Sequence, residues 1–339
     1  MVYKIGVFFG GQSAEHEVSI ESARNVINLL DQSKYEIIPV GIDQKGLWHF
    51  TNFSLNFGVG ESFNSAIDQI FSKIDIAFSL LHGPFGEDGS FQGLFEVANI
   101  PYVGAGVLGS SIGLDKDVMK RLLRDAKIKI PKFLVFKTVP VYRHVVKELG
   151  LPLVIKSSNM GSSVCLTKAN SEKEFIEGVE LAFNYDSKII IEENINCREI
   201  ECAILDLNPP IASLPGEVVA KGGIYTYENK YIEKDGARFI LPAKLDRQKI
   251  GQVQELAIKV FEVLCCEGMG RVDFFLDENQ DLYVNEINTI PGFTEMSLYP
   301  KLWEISGVSP SKLLDRLIEN SLLKYNQSTS KQTRPLIFT

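Results

Sequence analysis

At 339 residues, with 45% hydrophobic and 23% charged side chains, the chain can bury a sizeable core and is expected to form about two or three domains. A formal charge of -8 and a pI near 5.3 disfavour nucleic-acid and anionic-membrane partners, because the long-range field repels polyphosphate surfaces. Five cysteines without a CxxC pair or metal-type Cys/His spacing indicate neither a disulfide framework nor a zinc site, and no apolar stretch approaches the ~20 residues of a membrane span, so a cytoplasmic location is expected.

The apolar run from Ile5 to Phe9 has no basic leader and ends at Gly10-Gly11, so it reads as a first strand. Up to Leu114, short β-rich runs (KIGVFFG, EIIPVGI, DIAFSLLHG) alternate with helical patterns over 19–30 and 91–98, which predicts a parallel-sheet α/β domain over 1–114. A helix over 115–125 opens a central unit over 115–205, with KFLVFK, the pair of β-rich runs in LVIKSSNMGSSVCLTK, a helix over 172–183 and the strand KIIIEE. A third unit over 206–323 contains a Gly-, Tyr- and charge-rich stretch over 218–239, read as a lid loop, and continues with a helix over 247–264. A terminal helix is capped by Ser309 with Pro310 at its first position, and the tail over 324–339 is expected to be disordered.

Residues 271–276 (RVDFFL) and 282–288 (LYVNEIN) read as two strands joined by the polar segment DENQD. A turn centred between Asn279 and Gln280 places Asp273 opposite Glu286 and Arg271 opposite Asn288, all on one face. Two carboxylates facing each other with Cβ atoms about 5 Å apart repel unless a cation lies between them. Magnesium suits this set, since it takes oxygen ligands, uses one or two carboxylates and leaves positions for phosphates. Glu286, between Asp273 and Asn288, is placed to bridge two ions.

The segment from Lys156 to Ser163 lies between two strands, where its small residues can bring amides close to phosphate oxygens. It is not a Walker loop. Gly104-Ala-Gly106-Val-Leu-Gly109 matches GxGxxG literally, but the residues after it are helical and basic, whereas a dinucleotide fold requires a second strand ending in an acidic residue. Glu192 at a strand end and Glu199 seven residues later are candidates to address an adenine and its ribose.

Taken together, HGPFGEDGSFQG (82–93), GAGVLGSSIGLDK (104–116), REIECAIL (198–205), YTYENKY (225–231), GRVDFF (270–275), NEINTIPGFT (285–294) and the N-terminal GGQSAEHEVS resemble D-alanine-D-alanine ligases of the ATP-grasp superfamily. The resemblance runs from Lys4 to about Leu323. It implies an N-terminal α/β domain followed by two ATP-grasp subdomains that enclose the nucleotide, and an enzyme that joins two D-alanines through D-alanyl phosphate.

By this resemblance Lys116 and Lys156 contact ATP phosphates, Glu192, Glu193 and Ile195 line the adenine site with Phe275 nearby, and Glu199 holds the ribose. Glu193 stands where many relatives carry lysine, so its main-chain role is the one that transfers. Asp273, Glu286 and Asn288 would hold two Mg2+ or Mn2+ ions. Glu15 would bind the first D-alanine beside His82, and Ser162, Tyr231 and Glu15 would tie down a lid from which Lys230 reaches the γ-phosphate. Arg271, the Gly292 amide, Ser297 and Leu298 would hold the second D-alanine and stabilise the oxyanion. A homodimer is expected. The competing readings are a ligase taking D-lactate or D-serine second, a non-catalytic ATP-binding module, and a dinucleotide oxidoreductase.

Overall fold

A computed structural model describes residues 2–51, 57–161, 165–220 and 237–329. Ser162, Lys230 and Tyr231, and most of the expected lid, lie outside the described residues. The lid's two flanks do not belong to a loop: they are strands paired with each other.

The first layer is a sheet ordered β3-β2-β1-β4-β5, from β1 (Tyr3–Gly10), β2 (Tyr35–Ile42), β3 (Trp48–Phe50), β4 (Ile76–Ser79) and β5 (Tyr102–Val103). β1 pairs in parallel with both β2 and β4, and its last six residues are buried, as expected for a strand covered on both faces. β3 alone runs antiparallel, at the edge. The parallel pairing needs crossovers, supplied by α1 (His16–Leu29) and α2 (Phe63–Phe71). After α3 (Ser90–Val97) and β5 comes α4 (Val107–Leu114), then directly α5 (Lys116–Asp125), whose N-cap Asp115 accepts from the amides of Asp117 and Val118.

The central layer is an antiparallel sheet ordered β6-β9-β7-β8, from β6 (Phe133–Phe136), β7 (Leu153–Ser157), β8 (Thr167–Ala169) and β9 (Ile189–Glu193), packed on α6 (Tyr142–Leu149) and α7 (Glu172–Tyr185). The third layer is antiparallel, ordered β13-β12-β10-β14-β15 with β11 also on β10. Its strands are β10 (Cys197–Asp206), β11 (Pro210–Ala212), β12 (Gly216–Ala220), β13 (Ala237–Ile240), β14 (Met269–Asp277) and β15 (Leu282–Asn288). The boundary expected at 205 therefore cuts through this sheet, because β10 bonds to β11, β12 and β14.

α8 (Arg247–Val263) covers one face of the third sheet, and α9 (Leu298–Ile305) and α10 (Pro310–Thr329) follow it. The tail expected to be disordered from 324 continues α10 to 329, where the Tyr325 hydroxyl donates to the Asn99 carbonyl (3.1 Å) and Lys324 pairs with Asp206 and Glu267. Those bonds supply the ordering that the polar sequence does not advertise.

The first and third layers share an apolar core: Val7, Phe9 and Phe78 join Leu205, Met269, Phe293, Tyr299, Trp303 and Leu317. The central layer closes around a separate core that includes Val145, Ile155, Phe175 and Ile191. Among the described residues no helix is long and apolar enough to cross a membrane.

Candidate active site

One face of the third sheet changes character along its strands. At one end Ala203, Leu205 and Met269 enter the shared core; at the other, in the same alternation, stand Glu199, Glu201, Arg271 and Asp273. The opposite face of β14 is apolar, with Val272, Phe274 and Leu276 buried. The charged groups thus lie on a well-anchored strand.

The hairpin pairs Asp273 with Glu286 and Arg271 with Asn288, as the sequence predicts, but by a different route. From the turn to Phe274 the register is one residue shorter, with Phe274 opposite Val284, and a bulge between Asp273 and Phe274 restores the expected partners. Asn285 is the extra residue. Bulges re-aim side chains beside functional sites. Here Asn285 accepts from Lys156 Nζ at 3.1 Å, and the next residue, Glu286, faces Lys116 Nζ at 3.3 Å. Two consecutive residues of one strand thus each meet a lysine.

Lys116 starts α5, and its ammonium also donates to the Met160 carbonyl (2.8 Å). Lys156 lies on β7 and donates to Glu192 on β9 at 3.0 Å. Glu192 is buried between that lysine and Lys120, one turn beyond Lys116 on α5 and fully buried, with Nζ 3.1 Å from the other carboxylate oxygen. Burial opposes ionisation of Glu192, but Lys120 and Lys156 outweigh it and hold its pKa below the ordinary value. Burial pulls Lys120 below the usual lysine range against the attraction of Glu192.

Glu193 donates its amide to the Lys132 carbonyl (3.0 Å) and accepts the Lys132 amide on its side chain (2.8 Å). Ile195 and Glu199 follow, half-buried, with Glu199 opposite Phe275, and Phe275 shares the face of Asp273.

Arg271 gives a two-pronged fork to Asp273 (2.8 and 2.7 Å), Asn288 adds a third donor to Asp273 (2.9 Å), and Glu201 lies 2.7 Å from Arg271 Nε. Burial disfavours the guanidinium charge, yet Asp273 and Glu201 hold its pKa well above the ordinary value. Among the described residues no three His, Cys, Asp or Glu side chains are grouped as a metal centre. The hairpin set is instead two carboxylates and an amide on one face, which suits an ion that completes its shell with phosphate and water oxygens.

A small cleft joins this hairpin to the first layer, lined by Glu87, Lys116, Gly161, Glu286 and Asn288. Glu15 precedes α1 and is buried; a Cβ on Gly161 would sit 3.3 Å from its carboxylate. His82 is buried with Nδ1 3.9 Å from Glu87. Burial works against its charged form, but Glu87 and Glu15 lift its pKa above the ordinary imidazole value.

On the other side, Phe293 is gripped from α1: its amide donates to Ser22 Oγ (3.1 Å) and its carbonyl accepts from Asn25 (2.7 Å). At Gly292 a Cβ would approach Ser297 Oγ to 2.8 Å, so that hydroxyl would have to turn aside. Ser297 caps α9 without a side-chain bond to the helix; its hydroxyl holds Thr294 instead. Leu298 is buried in the shared core, so only its main chain can face a ligand.

The glycine motif is a packing device. After α4 the chain enters another helix rather than a second strand, and Gly109 lies against the Cys265–Cys266 backbone, where a Cβ would come within 2.7 Å. Sequence reasoning passed over Lys120, Glu201, Asn285 and the Ser22–Asn25 grip. Two carried a signal: Lys120 lies one helical turn from Lys116, and Glu201 two strand positions from Glu199.

Family models described as D-ala D-ala ligase N-terminus and D-ala D-ala ligase C-terminus match residues 4–105 and 122–319. The chain belongs to the D-alanine-D-alanine ligase family. A relative named D-alanine-D-alanine ligase from Oceanobacillus iheyensis is 43% identical, over 94% of this chain and 95% of its own length. The solved D-alanine-D-alanine ligase of Coxiella burnetii is similar with a TM-score of 0.84 at 34% identity, over 97% of this chain and 96% of that one. The VanG D-Ala:D-Ser ligase of Enterococcus faecalis is similar with a TM-score of 0.82 at 35% identity, over 95% of this chain and all (100%) of that one. The fold is thus the ATP-grasp arrangement of D-alanine-D-alanine ligases, which use ATP with a divalent metal.

Proposed function

We propose that this chain joins two D-alanines into D-alanyl-D-alanine while converting ATP to ADP and phosphate, for a peptidoglycan precursor. The observation that carries this reading is the meeting of Lys116 and Lys156 on Glu286 and Asn285, beside Asp273, Asn288 and Arg271. Lys116 and Lys156 would hold ATP phosphates, the main chain of Glu192, Glu193 and Ile195 its adenine, with Phe275 alongside, and Glu199 the ribose. Asp273, Glu286 and Asn288 would hold two Mg2+ or Mn2+ ions. Bound there, these supply positive charge that neutralises the phosphates during transfer.

Glu15, with His82 behind it, would take the ammonium of the first D-alanine, whose carboxylate attacks the γ-phosphorus to give D-alanyl phosphate. Water would destroy that acyl phosphate, so Lys230 and Tyr231 would close over it, with Ser162, Tyr231 and Glu15 hydrogen-bonded; Gly161 beside Glu15 supports this neighbourhood. The second amine, as the neutral base, then attacks the acyl carbon, and the amide forms as the acyl C–O bond breaks and phosphate leaves. Arg271 and the Gly292 amide would stabilise the oxyanion, and the Leu298 amide in the first turn of α9, with the Ser297 hydroxyl beside it, suits the second carboxylate. Further parts of the proposal are a cytoplasmic homodimer and the absence of nucleic-acid or membrane partners.

The test is to supply ATP, Mg2+ and D-alanine and measure phosphate and dipeptide. Phosphate release that D-alanine does not stimulate would reject the reading. Because one structural neighbour is a D-Ala:D-Ser ligase, D-serine is offered as the second substrate in parallel, and faster turnover with it would favour that alternative. Glu286→Gln should abolish turnover with the fold intact.

A further inference from the structure

Arg271 stands between two carboxylates that belong to neighbouring strands. Glu201 on β10 is the register partner of Asp273 on β14, so the two acids lie side by side, and Arg271, two residues before Asp273, reaches both. Its single Nε–H is donated to Asp273 Oδ1 at 2.8 Å, while Glu201 Oε2 lies 2.7 Å from the same nitrogen. The second prong, Nη2, reaches Asp273 Oδ2 at 2.7 Å, and that oxygen also accepts from Asn288 at 2.9 Å. Glu201 is 4% exposed, and the Arg271 side chain, at 16%, is largely enclosed.

This crowding sets two demands on Asp273. A carboxylate that ligates a divalent cation gives lone pairs to the metal and cannot keep the full guanidinium fork. If Asp273 were the sole partner, turning to the metal would strand a buried guanidinium, which is strongly unfavourable. Glu201 removes that conflict, because it already lies against Nε and needs only a small rotation to accept that proton.

We propose that Glu201 is a positioning residue: it retains the Arg271 guanidinium on the sheet face while Asp273 is released to the metal. The inference rests on the assignment of Asp273 as a metal ligand and Arg271 as the oxyanion donor. Glu201 touches neither substrate nor metal. It acts through Arg271, which keeps its place while its Nη groups become available.

The test is a double-mutant cycle on metal affinity. Mn2+ binding is measured by electron paramagnetic resonance in the presence of β,γ-imido-ATP, for the full chain, Glu201→Gln, Arg271→Met and the double variant. Glu201→Gln should weaken Mn2+ binding about tenfold, because Asp273 then becomes the main acid holding the guanidinium. With Arg271 replaced by Met, the same change should alter Mn2+ affinity by no more than about twofold, since no guanidinium competes for Asp273. An equal loss in both backgrounds would mean that Glu201 acts as a bare charge, and no loss in either would mean that it does nothing for the metal; each overturns the proposal. If Glu201→Gln does not fold, Glu201→Asp, which keeps the charge and shortens the reach, takes its place. It should also bind Mn2+ more weakly than the unaltered chain, and undiminished binding would overturn the proposal. Absence of Mn2+ binding by the unaltered chain, or full binding by Asp273→Asn, would reject the metal assignment itself and this inference with it.

Discussion

Lys156 Nζ lies 3.1 Å from Asn285 Oδ1, and Asn285 is in reach only because β15 carries one residue more than β14 at that point. The same irregularity brings Glu286 opposite Asp273. A defect in strand pairing therefore positions a phosphate-side lysine and a metal-side carboxylate together.

Replacing Asn285 by Ala leaves Lys156 with Glu192 as its anchor. A hydrogen bond to a charged group contributes about 1.5–3 kcal/mol, so the KM for ATP should rise roughly tenfold with a smaller fall in kcat. Steady-state kinetics with ATP as the varied substrate decides it; an unchanged KM would show that Glu192 alone suffices.

Lys120→Met should lower stability by about 3 kcal/mol, since it removes one of two cations from a buried carboxylate. Urea unfolding measures this. A change below roughly 0.5 kcal/mol would mean that Lys156 neutralises Glu192 unaided.

The raised pKa of His82 makes stability depend on pH. The folded chain favours the protonated ring over the unfolded chain, so this contribution is complete below the ordinary value of 6.5. It is lost as pH rises through the elevated folded value. His82→Gln should remove that portion of the pH dependence, and an identical slope in the variant would place its origin elsewhere.

Gly292→Ala should spare the fold and lower kcat/KM for the second D-alanine by about tenfold or more. The added methyl would sit 2.8 Å from Ser297 Oγ and must turn that hydroxyl out of its bonds with Thr294, at the proposed second-substrate position. Activity equal to that of the unaltered chain would show that the Gly292 amide has no part in the site.

The charged hairpin was legible because alternation and a short polar turn fix which residues share a face. The bulge was not, since an extra residue changes no residue type; the expected turn centre was off while the partners beyond it were right. The strand-helix alternation of the first layer is likewise open to reading, but the boundary expected at 205 groups β10 with the central unit, because periodicity tells where a strand lies and not which neighbour it bonds. Glu192 was legible as a candidate at a strand end, but its partner Lys120 reads as one more polar residue on an amphipathic helix, and only its burial against Glu192 reveals the cluster.

Phe293 lies edge-on to Phe78 (5.8 Å between ring centroids) and against Tyr299 (5.5 Å), which ties the strand leading to His82 to the segment leading to Ser297. Those two segments cannot separate without parting aromatic rings inside a continuous apolar core. The central sheet, carrying Lys156 and Glu192, has its own core and meets Lys116, Lys120 and the hairpin largely through ions and hydrogen bonds. On the proposed assignment both amino-acid positions stand on one continuous apolar core, whereas the nucleotide would be held between that body and a sheet with a core of its own.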